Sequence, residues 1–523
     1  MTAAALSIPH DRYRFKYLIA ITVSLASVLE LLDTSIVNVA IPHMMGNLGA
    51  TLDQIAWVST GYIVANVIVL PITGWLSAYF GRRSYFAGSI ALFTVASFMC
   101  GNAGSLEALV IWRIIQGLGG GALLSTSQAI LYEEFPREEY GTAMAIFGVG
   151  VMVGPTLGPT VGGWITDTYG WPWIFYINIP FGMLALALTL SFINDSEHQE
   201  RATSVDWLGL GLLAIGIGAL QTMLERGERL DWFESGQVRL LAFASGFSLI
   251  TFIWHELRTA HPVVDLRILK SRQLAVGVVY GLVLGVCLYA TVFVLPVYLQ
   301  NVQNFTANQT GLVILPGALA SAFTMAFMGR LQGKFDARIS IAAGVGIFAL
   351  SMWKHAHFTT QSGFHDFFWP LILRGVGLGL IFVPLTNLAL ADLPMSRIPN
   401  GTGLFNLMRQ LGGSVGIALS ATLLQRFTAI HRAELAANVT PFSEATRERI
   451  AMITQALVAR GELPAMAQTK AIGFLNGIVT KQAMMMSFEQ LFLLFGAAFV
   501  CSLPLLLLMH KSKGMPGGGA AAH

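Results

Sequence analysis

Apolar runs of about 18–25 residues, each long enough for one helical crossing of a bilayer, recur along the whole chain. They fall near 15–40, 54–76, 84–103, 107–132, 141–163, 173–194, 205–224, 238–257, 274–299, 310–331, 339–358, 367–391, 400–424 and 488–510. Fourteen spans put both termini on one side. Charges in the short connections say which side. The N-terminal side carries Arg12, Arg14, Lys16, Arg82, Arg83, Arg137, Arg201, Arg258, Arg267, Lys270, Arg272, Arg330, Lys334, Arg338, Arg397, Lys511 and Lys513. The other side offers Arg226, Arg229, Arg239 and Lys354. Cytoplasmic loops hold the excess of Lys and Arg, so the pattern predicts cytoplasmic termini. The stretch 425–487 falls outside. Its segment 443–459 looks helical, and the stretch reads either as a solvated helical hairpin or as a docking surface for a partner.

The pattern also repeats. The segment from Gly74 to Arg83, GWLSAYFGRR, matches Gly329 to Arg338, GRLQGKFDAR, at an offset of 255. Arg113 corresponds to Arg374 at an offset of 261, and Gly141-Thr142 to Gly401-Thr402 at 260. Three matches in order predict two related six-span halves, 1–200 and 266–510, with two inserted spans in 201–265 and a cytoplasmic tail at 511–523. Parallel repeats with a site between them are a transporter architecture.

Composition agrees. Of 523 residues, 54% are apolar and 11% charged, against about 25% charged in soluble domains, and the mean hydropathy is +0.64. This is an all-α polytopic membrane protein. A net charge of +3 gives no basic surface for nucleic acid. Cys100, Cys287 and Cys501 lie in apolar runs without CxxC spacing, which reads as buried free thiols rather than a disulfide framework or metal site. Residues 1–16 resemble a basic n-region, but the following run carries acids and lacks a clear cleavage site, so it reads as an uncleaved first span.

The polar residues inside the spans carry the chemistry. Glu30 and Asp33 interrupt span 1. A carboxylate there is costly unless protonated, paired or facing a watery cavity. Their three-residue spacing places them on neighbouring positions of one helix face. Arg113 stands inside span 4. It either snorkels outward or faces inward, and Gln116, one turn on, favours the inward stripe. Span 5 reads GVMVGPTLGPTVGG, with Gly154, Gly158 and Pro155. Glycine at every fourth residue gives a smooth ridge for close packing, and its prolines favour bending. The turn with Gly74, Gly81, Arg82 and Arg83 reads as a tight basic turn or as a gate. Arg409, followed by Gln410, is a third intramembrane arginine, able to line a cavity or bind a lipid headgroup. Asn38, Trp57, Tyr62, Asn66, Tyr289, Phe293 and Tyr298 are candidates for an adaptable pocket, though most aromatics in spans simply pack. No GxxxxGK[ST], HExxH or GxSxG pattern occurs, which argues against ATP drive and soluble-type catalysis.

Together these stretches resemble the major facilitator superfamily. GWLSAYFGRR looks like its span 2–3 signature, LVIWRIIQG its span 4 signature, and GVMVGPTLGPTVGG its antiporter signature. LDTSIVNVAIP is similar to the span 1 signature of the fourteen-span drug:proton antiporters of the EmrB/QacA type. HPVVDLRILKSR, ERGERLDWF and MRQLGGSVGIA point to the EmrB branch. The resemblance implies two six-helix bundles plus two extra helices in the cell inner membrane. It implies proton-driven export of lipophilic toxic drugs without ATP or another cofactor, together with a periplasmic adaptor of the EmrA type and an outer-membrane channel of the TolC type. Carried over by position, Asp33 is the family's span 1 aspartate, Arg113 its span 4 arginine and Gly154-Pro155 its antiporter Gly-Pro. The span 2–3 signature usually has an acid where Ala78 stands, and Glu30 lies outside the signature.

The expected mechanism is alternating access, with protons reaching Asp33 and with Glu30 as a second candidate. Burial and distance from Arg113 tune proton release. A metabolite exporter or proton symporter on the same scaffold is the alternative, since fold does not fix cargo. An enzyme or sensor would need a catalytic cluster or soluble domain, and neither is visible.

Overall fold

A long apolar segment in lipid must satisfy every backbone polar group internally, which selects helices. The structure, a computed structural model, describes residues 15–196, 204–331 and 335–510, and every regular element among them is helical. Arg12, Arg14, Arg201, Lys334, Lys511, Lys513 and the tail 511–523 lie outside the described residues.

The first half comprises α1 (Lys16–Leu48), α2 (Asp53–Phe80), α3 (Arg82–Gly101), α4 (Leu106–Glu134), α5 (Tyr140–Tyr169) and α6 (Trp173–Phe192). Then come α7 (Trp207–Arg226), α8 (Gly236–Glu256), α9 (Arg272–Asn301), α10 (Ala307–Leu331), α11 (Ala337–His355), α12 (Phe364–Leu390) and α13 (Ile398–Ala437). A short α14 (Glu444–Ala459) and the long α15 (Pro464–Leu507) follow. Thirteen described helices are long and apolar enough to cross a membrane. Counting α5, bent by 42° between Pro155 and Leu157, makes fourteen. Polar side chains set several starts: Thr51 Oγ1 accepts from Gln54 N and Gln54 Oε1 accepts from Thr51 N, while Ser105, Asp206, Ser271 and Asp336 cap α4, α7, α9 and α11.

The stretch 425–487 is largely helical, as its segment 443–459 suggested. Helix α13 runs 40 residues and α15 spans 44, against the roughly 20 that cross a membrane. The overhangs and α14 pack as a helical hairpin. Thr428 donates to Ser487 at 3.1 Å and Arg432 to Asn476 at 3.1 Å. Helices α7 and α8 pack on each other, and α7 also lies against α2 and α13. Leu240, Phe243, Phe247, Ile250 and Trp254 leave one face of α8 apolar and exposed. Cys100 and Cys287 are buried as expected, but Cys501, at the break in α15, is exposed.

The basic connections share one end of the bundle. Lys16 pairs with Glu139 at 2.6 Å, Gln273 donates to His510 O at 2.9 Å, and Arg397 pairs with Asp265 at 3.7 Å. At this basic end the halves close on each other, and the repeated glycines make the crossings. Helix α2 crosses α13 where a Cβ on Gly74 would collide with Asn400. Helix α10 crosses α5 where a Cβ on Gly329 would stand 2.6 Å from Gly141 O. The repeat pairs α2 with α10 and α5 with α13, so one contact is built twice with the halves exchanged. Tyr132 donates to Asn387 at 2.6 Å, and Asn406 to Gln128 at 2.7 Å and Ser125 at 3.3 Å, adding polar bonds across the closure.

Candidate functional site

Asp33 and Arg113 meet inside the first half. Arg113 Nη1 donates to Asp33 Oδ2 at 2.5 Å, with the carboxylate 0% and the guanidinium 1% exposed. Such a charged pair is tolerable in a dry interior only with its remaining hydrogen-bonding capacity filled. That capacity is filled here. Gln116 donates to Asp33 Oδ1 at 3.0 Å and accepts from Arg113 at 2.7 Å. Arg113 Nε donates to Val58 O at 3.0 Å, and the guanidinium lies 4.1 Å from the Tyr62 ring centre. Asn178 on α6 donates to Asp33 Oδ1 at 2.8 Å and to Ser97 at 3.0 Å. Sequence reasoning missed Asn178, although an asparagine inside the apolar run of span 6 was a usable signal.

Helix α5 carries this site's position to the other half. A Cβ on Gly154 would press Leu31, and one on Gly158 would press Ser35, so α1 and α5 touch backbone to backbone. Pro159 has no N–H for the carbonyl four residues earlier. That carbonyl, Pro155 O, accepts instead from Ser35 Oγ at 3.1 Å. The far side of α5 packs on α10 and α12 of the second half, with Gly148 against Met325 and Phe382.

Glu30 does not share the Asp33 site. Three residues leave two side chains about 60° apart around a helix, and here that is enough to give them different neighbours. Glu30 Oε1 accepts from Asn66 at 2.9 Å, while its buried Oε2 finds no partner among the described residues. The charges that reach it are those of Arg409 of the second half and, more weakly, of Asp33.

Arg409 is 1% exposed and has no acid within ion-pair distance among the described residues. It donates to Tyr289 Oη and to Asn406 Oδ1, both at 3.4 Å, and its Nε has no partner. Tyr289 donates to Gln410 Oε1 at 3.3 Å. Glycines allow this cluster. Helix α9 runs against Gly412, Gly413 and Gly416, whose added Cβ atoms would meet Leu282 O, the Tyr289 ring and Val286 O.

The other expected lining residues divide. Asn38 is exposed and accepts from Ser59 at 3.2 Å, and Phe293 is half-buried on α9. Trp57 instead stacks on Arg226 of α7 at 4.9 Å, apart from the Asp33 group. Tyr298 is fully buried among Phe358, Phe367 and Phe488, a packing role set by its aromatic neighbours.

At the basic end Gly81 has φ of 85°, a conformation that suits glycine. Arg82, 2% exposed, pairs with Glu133 and with Glu134 at 3.2 Å and donates to Asn194 O at 2.9 Å. Arg83 N–H donates to Asp195 at 3.0 Å. Both arginines therefore brace the first half, while Gly74 meets the second. Ala78 lines a cavity of about 300 Å³ with Pro262, Val263, Arg397 and Asn400. Arg397 has its acid in Asp265 of the α8–α9 connection, not in the α2–α3 turn.

A sequence model described as Major Facilitator Superfamily matches residues 23–417. The chain is 34% identical over 502 residues to the fatty acid resistance protein FarB of Neisseria gonorrhoeae, covering 96% of this chain and 97% of that protein. It is 34% identical over 507 residues to the multidrug export protein EmrB of Escherichia coli (strain K12), covering 97% and 98%. The colistin resistance protein EmrB of Acinetobacter baumannii is 29% identical over 486 residues, covering 93% and 94%. Among solved structures, the human organic anion transporter MFSD10 (TETRAN) matches with a TM-score of 0.58 over 92% of this chain and 99% of that one; at 13% identity the likeness shows the fold.

Proposed function

The chain belongs to the major facilitator superfamily, a multi-pass transporter rather than an enzyme, and from that premise we propose that it is a proton-driven multidrug exporter working by alternating access. The observation that carries the coupling is the dry Asp33–Arg113 pair with its complete set of donors. Protonation of Asp33 removes the charge that holds Arg113, and the contact between α1 and α4 loosens. Helix α1 lies on the glycine ridge of α5, and α5 packs on α10, so a shift of α1 reaches the interface between the halves. The energy source is the proton gradient, with no ATP and no cofactor. Each charge crossing supplies about 2.3 kcal/mol per 100 mV. The names of relatives, which speak of multidrug export, fatty acid resistance and colistin resistance, support lipophilic or amphipathic toxic compounds as cargo.

The test is proton release from purified protein when lipophilic compounds are added. Wild type releases protons; Asp33→Asn inserts in the membrane but releases none. Normal release and full drug resistance in Asp33→Asn would remove Asp33 from the mechanism.

The basic end faces the cytoplasm of an inner-membrane protein in this reading, and the helical hairpin projects into the periplasm. Its exposed Met466, Phe474 and Ile478, one face of α15 with Gly473 and Gly477 between them, support docking of an adaptor of the EmrA type that leads to a TolC-type channel. Deleting 430–480 should abolish adaptor crosslinking while leaving proton-coupled transport in vesicles intact.

A further inference from the structure

The buried interiors of the two halves carry opposite charges. Away from the basic end, where Arg82 is paired with Glu133 and Glu134, the first half has Glu30 and Asp33 against one buried arginine, Arg113. The second half has Arg374, 7% exposed, and Arg409, 1% exposed. The acids on its crossing helices α9–α13 and α15 are Asp366, Glu434 and Glu489. None of the three is deep: Asp366 lies in the first turn of α12, Glu434 in the outer hairpin, and Glu489 is exposed. Neither deep arginine of the second half makes an ion pair among the described residues, and both keep an unpartnered buried Nε. A guanidinium stays charged in a protein interior, so it needs a counter-charge that this half does not contain.

From this we infer that Arg409, with Tyr289, Asn406 and Gln410, is the recognition site for the anionic headgroup of a lipophilic carboxylate cargo. The geometry is that of an anchor. Two long hydrogen bonds of 3.4 Å hold Arg409 in place without satisfying it, and a carboxylate accepts two parallel N–H bonds from one guanidinium. Tyr289 and Gln410 are half-buried at its edge. The site also has a direction. Asn406 bonds Arg409 and, across the closure, Gln128 and Ser125. Opening the basic end breaks these cross-bonds and uncovers Arg409 toward that side, the side from which an exporter loads. Glu30, whose charge reaches Arg409 from the first half, opposes an incoming anion.

The inference rests on the exporter reading, and one assay separates the two. Purified protein in nanodiscs is titrated with decanoate, neutral decanamide and decylammonium, recording binding and proton release. Wild type should bind decanoate about tenfold more tightly than decanamide, as expected for a site built for a charged acceptor. Arg409→Gln should remove that preference while decanamide binding stays. Arg409→Lys and Tyr289→Phe, which leave a cation in place, should keep part of it. Glu30→Gln should tighten decanoate binding. Asp33→Asn should lose proton release yet keep the preference. Equal binding of decanoate and decanamide by wild type, or a full preference in Arg409→Gln, overturns the inference. Proton release from none of the three compounds would instead count against the exporter reading.

Discussion

Arg113 and Arg374 occupy matching places in the two repeats, on α4 and α12. Arg113 has an aspartate, a glutamine, a backbone carbonyl and an aromatic face around it. Arg374 makes no hydrogen bond or ion pair among the described residues. At the repeat's offsets of 255 to 261, Asp33 falls on residues 288–294 of α9, which hold no acid; Thr291 there spends its hydroxyl on Cys287 O and Leu288 O at 2.9 Å. One half holds a buried carboxylate against its arginine, and the other holds buried arginines with no deep acid among its described residues. The scaffold is symmetric at the glycine crossings and asymmetric in buried charge.

The largest effect should come from breaking the matched arginine. Asp33→Ala strands Arg113 in a dry site and should cost about 3–5 kcal/mol, the usual penalty for removing one partner of a buried pair. Thermal unfolding in detergent measures it. Arg113→Leu added to Asp33→Ala should recover much of that loss without recovering transport. An Asp33→Ala protein as stable as wild type would mean that the pair is not what holds α1 to α4. A smaller loss, about 1–3 kcal/mol for an unsatisfied buried group, is expected for Asn178→Leu, which removes one donor to Asp33 and leaves Ser97 without its amide.

The same contrast shows what the sequence could tell. The spans were legible because lipid forces long apolar helices, and the buried charged positions because charges inside such helices are rare. Asp33 with Arg113 was readable as two unlike charges in one half. The separation of Glu30 from Asp33 was not, because about 60° of helix rotation decides between neighbours that come from α2, α4, α6 and the other half. Trp57 and Tyr298 have the composition of pocket residues, yet their partners, Arg226 and the Phe358–Phe367–Phe488 cluster, belong to distant stretches. The helical hairpin of 425–487 was legible in its helical-looking segment 443–459, but its continuity with the crossing helices α13 and α15 was not, because a span-length window stops at the thickness of a membrane.

For the unmatched arginine the sign should reverse. Arg374→Leu removes a charge that pays desolvation without a partner, so stability should rise, on the order of 1 kcal/mol. The measurement is the same unfolding assay. A loss as large as that of Asp33→Ala would show that Arg374 has a structural counter-charge and would erase the contrast between the halves. With Arg374 gone, a fall in decanoate affinity smaller than that of Arg409→Gln is the companion result, since Arg409 alone carries the hydroxyl and amide neighbours of an anchor.

The smallest effect belongs to the basic end, where the contrast between matched and exposed charge appears again. Arg82 is buried against Glu133 and Glu134, whereas Arg397 is 52% exposed and meets Asp265 at 3.7 Å. An ion pair that open to water is worth about 0–1 kcal/mol, so Asp265→Asn should barely change unfolding. It should still change access, because Asp265 sits on the connection whose Pro262 and Val263 line one cavity with Ala78 and Asn400 at the α2–α13 crossing. A thiol placed by Ala78→Cys should react with a membrane-impermeant maleimide a few times faster when Asp265→Asn is added. An unchanged rate would mean that the glycine crossing at Gly74 closes this end by packing alone. The inserted pair α7–α8 would then act on the gate only by shape and not through the charge its connection carries.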